Sequence, residues 1–216
     1  MTTKDRRIRE LQETREKILD AARDMFAEEG FDAVTMRGIA ERIEYTPTAI
    51  YHHFKSKNAL LSEICMCDFG MLARHFNVSV AEGDPVQRIL AVGEAYLEFA
   101  EKHPAQYRFM FMTVFPHPEL PEEFFADQQG NPEKDAYAFL RESCREMIDR
   151  GLLKPEITDA DELAQILWGG IHGIVSLRIV KSRASHIAWR ELRPTALRAM
   201  RMLIRGILED PSKVEL

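Results

Sequence analysis

Between Thr35 and Phe54 the chain reads Thr-Met-Arg-Gly-Ile-Ala-Glu-Arg-Ile-Glu-Tyr-Thr-Pro-Thr-Ala-Ile-Tyr-His-His-Phe, a run that few structures can accommodate. Thr35 is a good N-cap, because its hydroxyl can accept a hydrogen bond from an unpartnered N–H of a first helical turn. Ile39 and Ile43, four residues apart, then share one face of a short helix. Thr46 caps a second helix, Pro47 occupies its first turn where a missing N–H costs nothing, and Ile50 and Phe54 return to the same small core. The expectation is two short helices joined by a tight turn, with Thr48, Tyr51 and His52 facing away from that core.

The outward face decides what such a hairpin can do, since an ordinary capped hairpin has the same spacing. Hydroxyls and a phenol can bond base edges or phosphates, and Thr and Tyr carbons can touch a thymine methyl. Lys55 and Lys57, just beyond, can neutralise phosphates without reading sequence. That chemistry points to a helix-turn-helix whose second helix enters a DNA groove.

The run from Thr14 through Leu61 resembles the DNA-binding head of the TetR family of bacterial repressors. Thr14 to Phe31 is similar to the family's first helix and the Gly-Phe step after it, Thr35 to Arg42 to its second helix, and Thr46 to Phe54 to its recognition helix. Lys55-Ser-Lys-Asn-Ala-Leu-Leu61 resembles the start of the long fourth helix. The resemblance implies phosphate-contacting positions at Thr35, Tyr51 and Lys57, and positions at or near the bases for Thr46, Pro47, Thr48 and His52. Arg37, Tyr45 and Lys55 complete the expected DNA-binding set. Two residues depart from the family turn: Glu44 stands where a Gly is usual, and Tyr45 where a small or aliphatic residue is. If Glu44 takes the left-handed conformation a Gly would adopt, the cost is about 1–2 kcal/mol, so either the turn differs locally or packing offsets that cost; a carboxylate near phosphates is also unfavourable.

Lys4, Arg6, Arg7 and Arg9, opposed only by Asp5, precede the first helix and read either as an arm for phosphate or a minor groove, or as a solvated terminus. In that helix Leu11, Ile18, Ala22, Met25 and Phe26 recur at helical spacing, and Gly30 supplies the stop. The whole chain carries a formal net charge of −6 over 216 residues, yet residues 1–57 hold eleven Lys or Arg against eleven Asp or Glu. The acid excess therefore belongs to the remainder, which is not a nucleic-acid surface. With 45% hydrophobic residues that remainder is long enough to bury its own core. The division expected is a DNA-binding domain over 1–56 and a ligand-binding and dimerisation domain over 57–216. No run of about 18 apolar residues and no hydrophobic signal core is present, so a cytoplasmic protein without membrane contact is expected. Three cysteines without framework spacing suit a reducing compartment.

The body reads as all-α, giving about nine helices in all. Helix four is expected from Ser56 to about Asn77, with a break at Ala81-Glu-Gly-Asp-Pro85. Ile89, Leu90, Val92, Tyr96, Leu97 and Phe99 mark a fifth helix ended by His103-Pro104, and Tyr107, Met110 and Phe111 a short sixth. Three prolines make Phe115 to Pro121 a loop. A seventh helix follows Gly130-Asn-Pro132 and holds Tyr137 to Ile148. An eighth runs from about Asp159 to Lys181, and a last from Thr195 to Leu208. The eighth contains Gly169, Gly170 and Gly173, each about 1 kcal/mol worse than Ala in a helix. Gly169 and Gly173, four apart, would let another helix or an equivalent subunit approach closely. Trp168, His172 and Gly173 resemble the Trp-His-Gly signature of one TetR subfamily's body domain.

In that family the final two helices of each subunit form a four-helix bundle, which implies a homodimer on a palindromic double-stranded operator. It also implies an effector pocket between helices four to eight, with Tyr96, Tyr107, Met110, Phe111, Phe115, Phe139, Trp168 and His172 as candidate lining; an aromatic or Met at helical spacing is equally a core residue. The fourth helix would carry the effector's signal to the head as a lever. No cofactor, metal site or catalytic constellation is read: Gly-x-Ser-x-Gly, a phosphate-binding loop and His-Glu-x-x-His are all missing. Cys65 and Cys67, two apart on a helix, point about 200 degrees from each other and cannot pair without local unfolding. The reading is a repressor released by a small molecule. Its alternatives are a redox-responsive regulator and an architectural DNA-binding protein without inducer.

Overall fold

The computed structural model describes residues 3–79, 83–113, 130–132, 134–181 and 185–213. Among them are nine α-helices and no strand, only an isolated antiparallel bridge between Leu153 and Leu208. The helices are α1 (Thr3–Glu29), α2 (Met36–Arg42), α3 (Pro47–His53), α4 (Lys57–Ser79), α5 (Pro85–Lys102), α6 (Pro104–Met112), α7 (Ala136–Asp149), α8 (Ala160–Lys181) and α9 (Leu192–Ile207). They fall into two compact units, one within Met1–Phe69 and His103–Asp127, the other within Gly70–Lys102 and Gln128–Leu216.

Two elements differ from sequence expectation, each for a local reason. The basic segment ahead of Thr14 is helical from Thr3, because it lacks Gly and Pro, is rich in strong helix formers and closes an Arg6–Glu10 pair at 2.8 Å. Leu11, placed on the apolar stripe, is consequently exposed together with Ile8, since the helix outruns the core it packs on. At the other end α9 begins three residues before Thr195 and includes Pro194 in its first turn, where the N–H that proline lacks has no intrahelical partner. The loop from Phe115 to Pro121 and part of the break at Ala81 lie outside the described residues.

In the first unit α1 packs against α2 and α6, and α2 against α3. Ile18, Ala22 and Phe26 of α1, Ile39 of α2, Ile50 of α3, Leu60 and Ile64 of α4, and Tyr107 and Phe109 of α6 are fully buried there. A buried ion pair crosses this core. Arg23 Nε donates to Asp68 Oδ2 at 2.7 Å and its Nη2 to Asp68 Oδ1 at 2.9 Å, while Nη1 reaches Asp20 at 2.6 Å. Burial pushes the Asp68 carboxyl up against the pull of Arg23. The two-pronged geometry is the one that compensates desolvation, so the pair is ionised.

In the second unit α8 packs on α7, α9 and α5, and α5 on α7 and α9. Two glycines permit the close approaches. A β-carbon at Gly93 of α5 would lie 3.0 Å from Met200 Cε of α9, and one at Gly170 of α8 only 2.5 Å from Leu203 Cδ1. By length and composition α8 could span a membrane. Its Leu163, Ala164, Leu167, Ile171 and Val175 are instead buried within the unit. The chain then closes on itself: Lys154 N–H donates to Ile207 O and Glu209 N–H to Leu152 O, both at 3.0 Å.

Candidate nucleic-acid interface

Each helix of the Thr35–Phe54 motif is set by its own cap. Thr35 Oγ1 accepts from Gly38 N–H at 3.0 Å and Thr46 Oγ1 from Ala49 N–H at 3.3 Å, with Pro47 opening α3. The turn between them is the ending that follows when the residue past a helix cap turns left-handed. Tyr45 N–H donates to Ala40 O at 2.9 Å and Glu44 N–H to Glu41 O at 3.3 Å. Glu44 supplies the left-handed step at φ 60°, and among the described residues no other non-glycine has a positive φ. Of the two possibilities the sequence left open, a locally different turn or a left-handed Glu44, the structure has the second.

Ile50 and Phe54 are buried, so the opposite side of α3 is the free one. Thr46, Pro47, Thr48 and His52 are exposed, and Tyr51 is 53% exposed. Thr35, Arg37, Tyr45 and Lys55 are exposed as well. Arg37 is held by Glu41 at 2.8 Å, and that hydrogen bond raises its pKa further. Burial lowers the His53 pKa, helped by the charges of His52 and Arg15, which keeps that ring neutral at pH 7.

Lys57 sits differently from the other nine candidates. Its ammonium donates to Phe31 O at 2.7 Å and Val34 O at 2.8 Å and lies 4.2 Å from the centre of the Phe31 ring. Arg15, outside the sequence candidates, is placed in a comparable way at the other end of the motif. Its guanidinium stacks 4.4 Å over Phe54, donates to His53 O at 3.4 Å and pairs with Glu63 at 2.8 Å. The signal for Arg15 was its place on the α1 stripe, three residues before the fully buried Ile18.

The effector candidates divide between the units. Tyr107 and Met110 are buried in the first and Phe111 is half-buried, its ring 5.1 Å from Tyr107 and 6.1 Å from Phe69. Phe115 lies outside the described residues. In the second unit Tyr96, Trp168 and His172 form a hydrogen-bonded group, and Phe139 is half-buried on α7. Trp168 Nε1 donates to Tyr96 Oη at 3.4 Å, and Tyr96 Oη meets His172 Nδ1 at 2.9 Å. An indole N–H can only donate, so Tyr96 accepts from it, while the phenol's second lone pair and its own proton make the contact with His172 compatible with either tautomer of the neutral imidazole. Burial lowers the His172 pKa and so favours this neutral ring. The Trp168 ring is also 6.3 Å from that of Tyr137, whose hydroxyl donates to Asp161 at 3.0 Å.

The thiols are poorly placed for redox chemistry. Burial pushes Cys65 and Cys144 up to about 12, and Cys67 is raised as well, so each holds its proton at neutral pH.

The family Bacterial regulatory proteins, tetR family, matches residues 18–64, and the family Tetracyclin repressor-like, C-terminal domain, matches residues 89–203. The HTH-type transcriptional regulator UidR of Escherichia coli K12 is 27% identical over 160 residues, covering 70% of this chain and 74% of UidR. The HTH-type transcriptional repressor KstR2 of Mycobacterium tuberculosis H37Rv is 32% identical over 103 residues, covering 47% of this chain and 52% of KstR2. The crystal structure of a tetR-family transcription regulator from Shewanella sp. PV-4 superposes with a TM-score of 0.68 at 18% identity, over 91% of this chain and 98% of the other.

Proposed function

Because the chain belongs to the TetR family of DNA-binding transcriptional regulators, we propose that it is a cytoplasmic homodimeric repressor that binds a palindromic operator and is released by a small molecule. The observation that carries the DNA reading is the division of α3 into a buried edge, Ile50 with the Phe54 cap, and an exposed edge bearing Thr48, Tyr51 and His52. Hydroxyl, phenol and imidazole groups on a capped, shallowly anchored helix suit base edges and phosphates. Its role is regulation, not catalysis. Protonated thiols disfavour the redox alternative, and the match of residues 89–203 to the Tetracyclin repressor-like C-terminal domain supports an effector over a purely architectural role.

The dimer is supported by α8. Ile166 is 50%, Leu177 56% and Val180 63% exposed, and with Gly169 and Gly173 they form one stripe at helical spacing. A β-carbon at either glycine would meet nothing within 4 Å. A stripe of exposed aliphatics around two open glycines lets an equivalent helix approach closely. Within the second unit the effector would contact Tyr96, Phe139, Trp168 and His172, and the differential affinity of that contact for two states would set operator release.

The test starts from duplexes that the wild-type protein selects from a random library. Binding should weaken as salt rises. Tyr51→Ala should weaken selected and scrambled duplexes alike, and Thr48→Ala should relax preference at particular base pairs by about 1–3 kcal/mol. Unchanged binding in both variants would remove α3 as the reading helix.

A further inference from the structure

The Thr35–Phe54 motif is held at both of its ends by cations that come from outside it. At the entry, Lys57 of α4 donates to the carbonyls of Phe31 and Val34, at 2.7 and 2.8 Å, and covers the Phe31 ring. Val34 is the residue immediately before the Thr35 cap and is itself buried. At the exit, Arg15 of α1 stacks over the Phe54 ring at 4.4 Å, reaches His53 O at 3.4 Å and is anchored by Glu63 of α4 at 2.8 Å. His53 is the last residue of α3 and Phe54 its C-cap, so Arg15 brings positive charge and a donor to a helix end whose final carbonyls lack intrahelical partners.

We infer that Arg15 and Lys57 are positioning residues that fix the recognition helix from its two ends, so that they govern which DNA sequence the head distinguishes and not its general attraction to phosphate. The inference rests on the DNA-binding reading and reassigns Lys57 within it. A seven-residue helix buries only Ile50 along its own length, which leaves its tilt weakly determined by packing alone. Two ring-stacked cations, each donating to backbone carbonyl, supply the missing constraints, because a planar guanidinium and a coordinated ammonium hold direction as well as distance. An ammonium already directed at two carbonyls is also a poor point charge for phosphate. Base contacts need a fixed helix and phosphate attraction does not. Loosening either clamp should therefore cost sequence discrimination first.

The experiment compares wild type, Arg15→Met, Lys57→Met and the conservative Arg15→Lys and Lys57→Arg on the selected duplex and on a scrambled duplex of equal length, across a salt series. Each methionine variant should lose about tenfold or more on the selected duplex, the size of one weakened base contact, and less than twofold on the scrambled one. The slope of log affinity against log salt should stay as in wild type, and Lys57→Arg should recover part of the selected-duplex affinity. Equal losses on both duplexes with a slope shallower by about one would make the residue a phosphate contact and overturn the inference. So would unchanged discrimination. If Arg15→Met loses helicity by circular dichroism, Glu63→Gln replaces it: this change removes the anchor of Arg15 and leaves the stack, and should lower selected-duplex binding alone, by a few fold. If Lys57→Met loses helicity, Lys57→Gln replaces it with the same two-duplex comparison, and equal losses on both duplexes overturn the role of Lys57. Unchanged binding in Glu63→Gln likewise overturns the role of Arg15. Failure of the wild type to select any duplex would defeat the DNA-binding reading itself, an outcome distinct from all of these.

Discussion

Glu44 stores free energy that one substitution should release. Its φ of 60° lies in the left-handed region, where the β-carbon of an L-residue crowds the following carbonyl at about 1–2 kcal/mol. The conformation is required, because the bonds Tyr45 N–H to Ala40 O and Glu44 N–H to Glu41 O close only when this residue turns left-handed. Glycine removes the crowding but adds unfolded-state freedom worth about 0.5–1 kcal/mol, so Glu44→Gly should stabilise the head by about 0.5–1 kcal/mol net. Glu44→Ala keeps the β-carbon and removes the charge, and should stay within about 0.5 kcal/mol of wild type. The assay is amide exchange at Tyr45, whose N–H is bonded at 2.9 Å. Glycine should slow it roughly two- to fivefold and alanine should not. Both variants lose a carboxylate near the DNA face, so both should bind the selected duplex more tightly at low salt and converge on wild type at high salt. A glycine variant no better protected than the alanine variant would refute the strain, whatever happened to DNA affinity.

Asp68→Asn should cost about 3–5 kcal/mol in urea unfolding by leaving Arg23 buried without its carboxylate, and Arg23→Met with Asp68→Leu should recover most of it. Gly169→Ala with Gly173→Ala would add about 1 kcal/mol of helix propensity per residue if the stripe faced water. Against a partner helix the same pair should instead raise the dimer dissociation constant in sedimentation equilibrium, and a tighter or unchanged dimer counts against the α8 interface. Burial lowers the His172 pKa from 6.5, so the unfolded chain takes up a proton first as pH falls. Its contribution to stability is complete above about pH 6.5 and is lost as pH falls from there through the folded value. His172→Asn should flatten that limb of the melting profile between pH 7.5 and 5.5 relative to wild type.

The head was legible because its determinants are local. Thr35, Thr46 and Pro47 act on residues within four positions of themselves, and Ile39, Ile50 and Phe54 announce their face by spacing alone. The strain at Glu44 was legible only as one of two possibilities, through the family's usual Gly at that position. What the sequence hid is non-local. Lys57 meets carbonyls 26 and 23 residues earlier, and Arg15 meets a carbonyl 38 residues later. No spacing rule distinguishes such a cation from one in solvent, and Lys57 next to a recognition helix invites the phosphate reading. In the body the same difficulty affects Tyr107 and Met110, whose helical spacing suits a pocket wall and a core equally and whose side chains are buried in the first unit.

Turning cations inward alters the charge argument for the whole head. Residues 1–57 hold equal numbers of acidic and basic side chains. Arg15, Arg23 and Lys57 are committed to internal partners, and Arg37 and Arg42 to Glu41 and Glu28 at 2.8 and 3.7 Å. Of these cations Arg23 is buried and Arg15 and Lys57 are half-buried, while Arg37 and Arg42 pair with their carboxylates at the surface. On the proposed DNA-binding reading, a head of that balance gains less from counterion release than a basic one, and more of its affinity would come from groups that bond without net charge: the hydroxyls of Thr46 and Thr48, the Tyr51 phenol, the His52 ring and backbone N–H groups. Such contacts depend on fixed geometry. On the proposed reading, the Arg15 and Lys57 clamps would do for this face what a basic surface does for others, by holding a weakly charged helix where hydrogen bonds can discriminate.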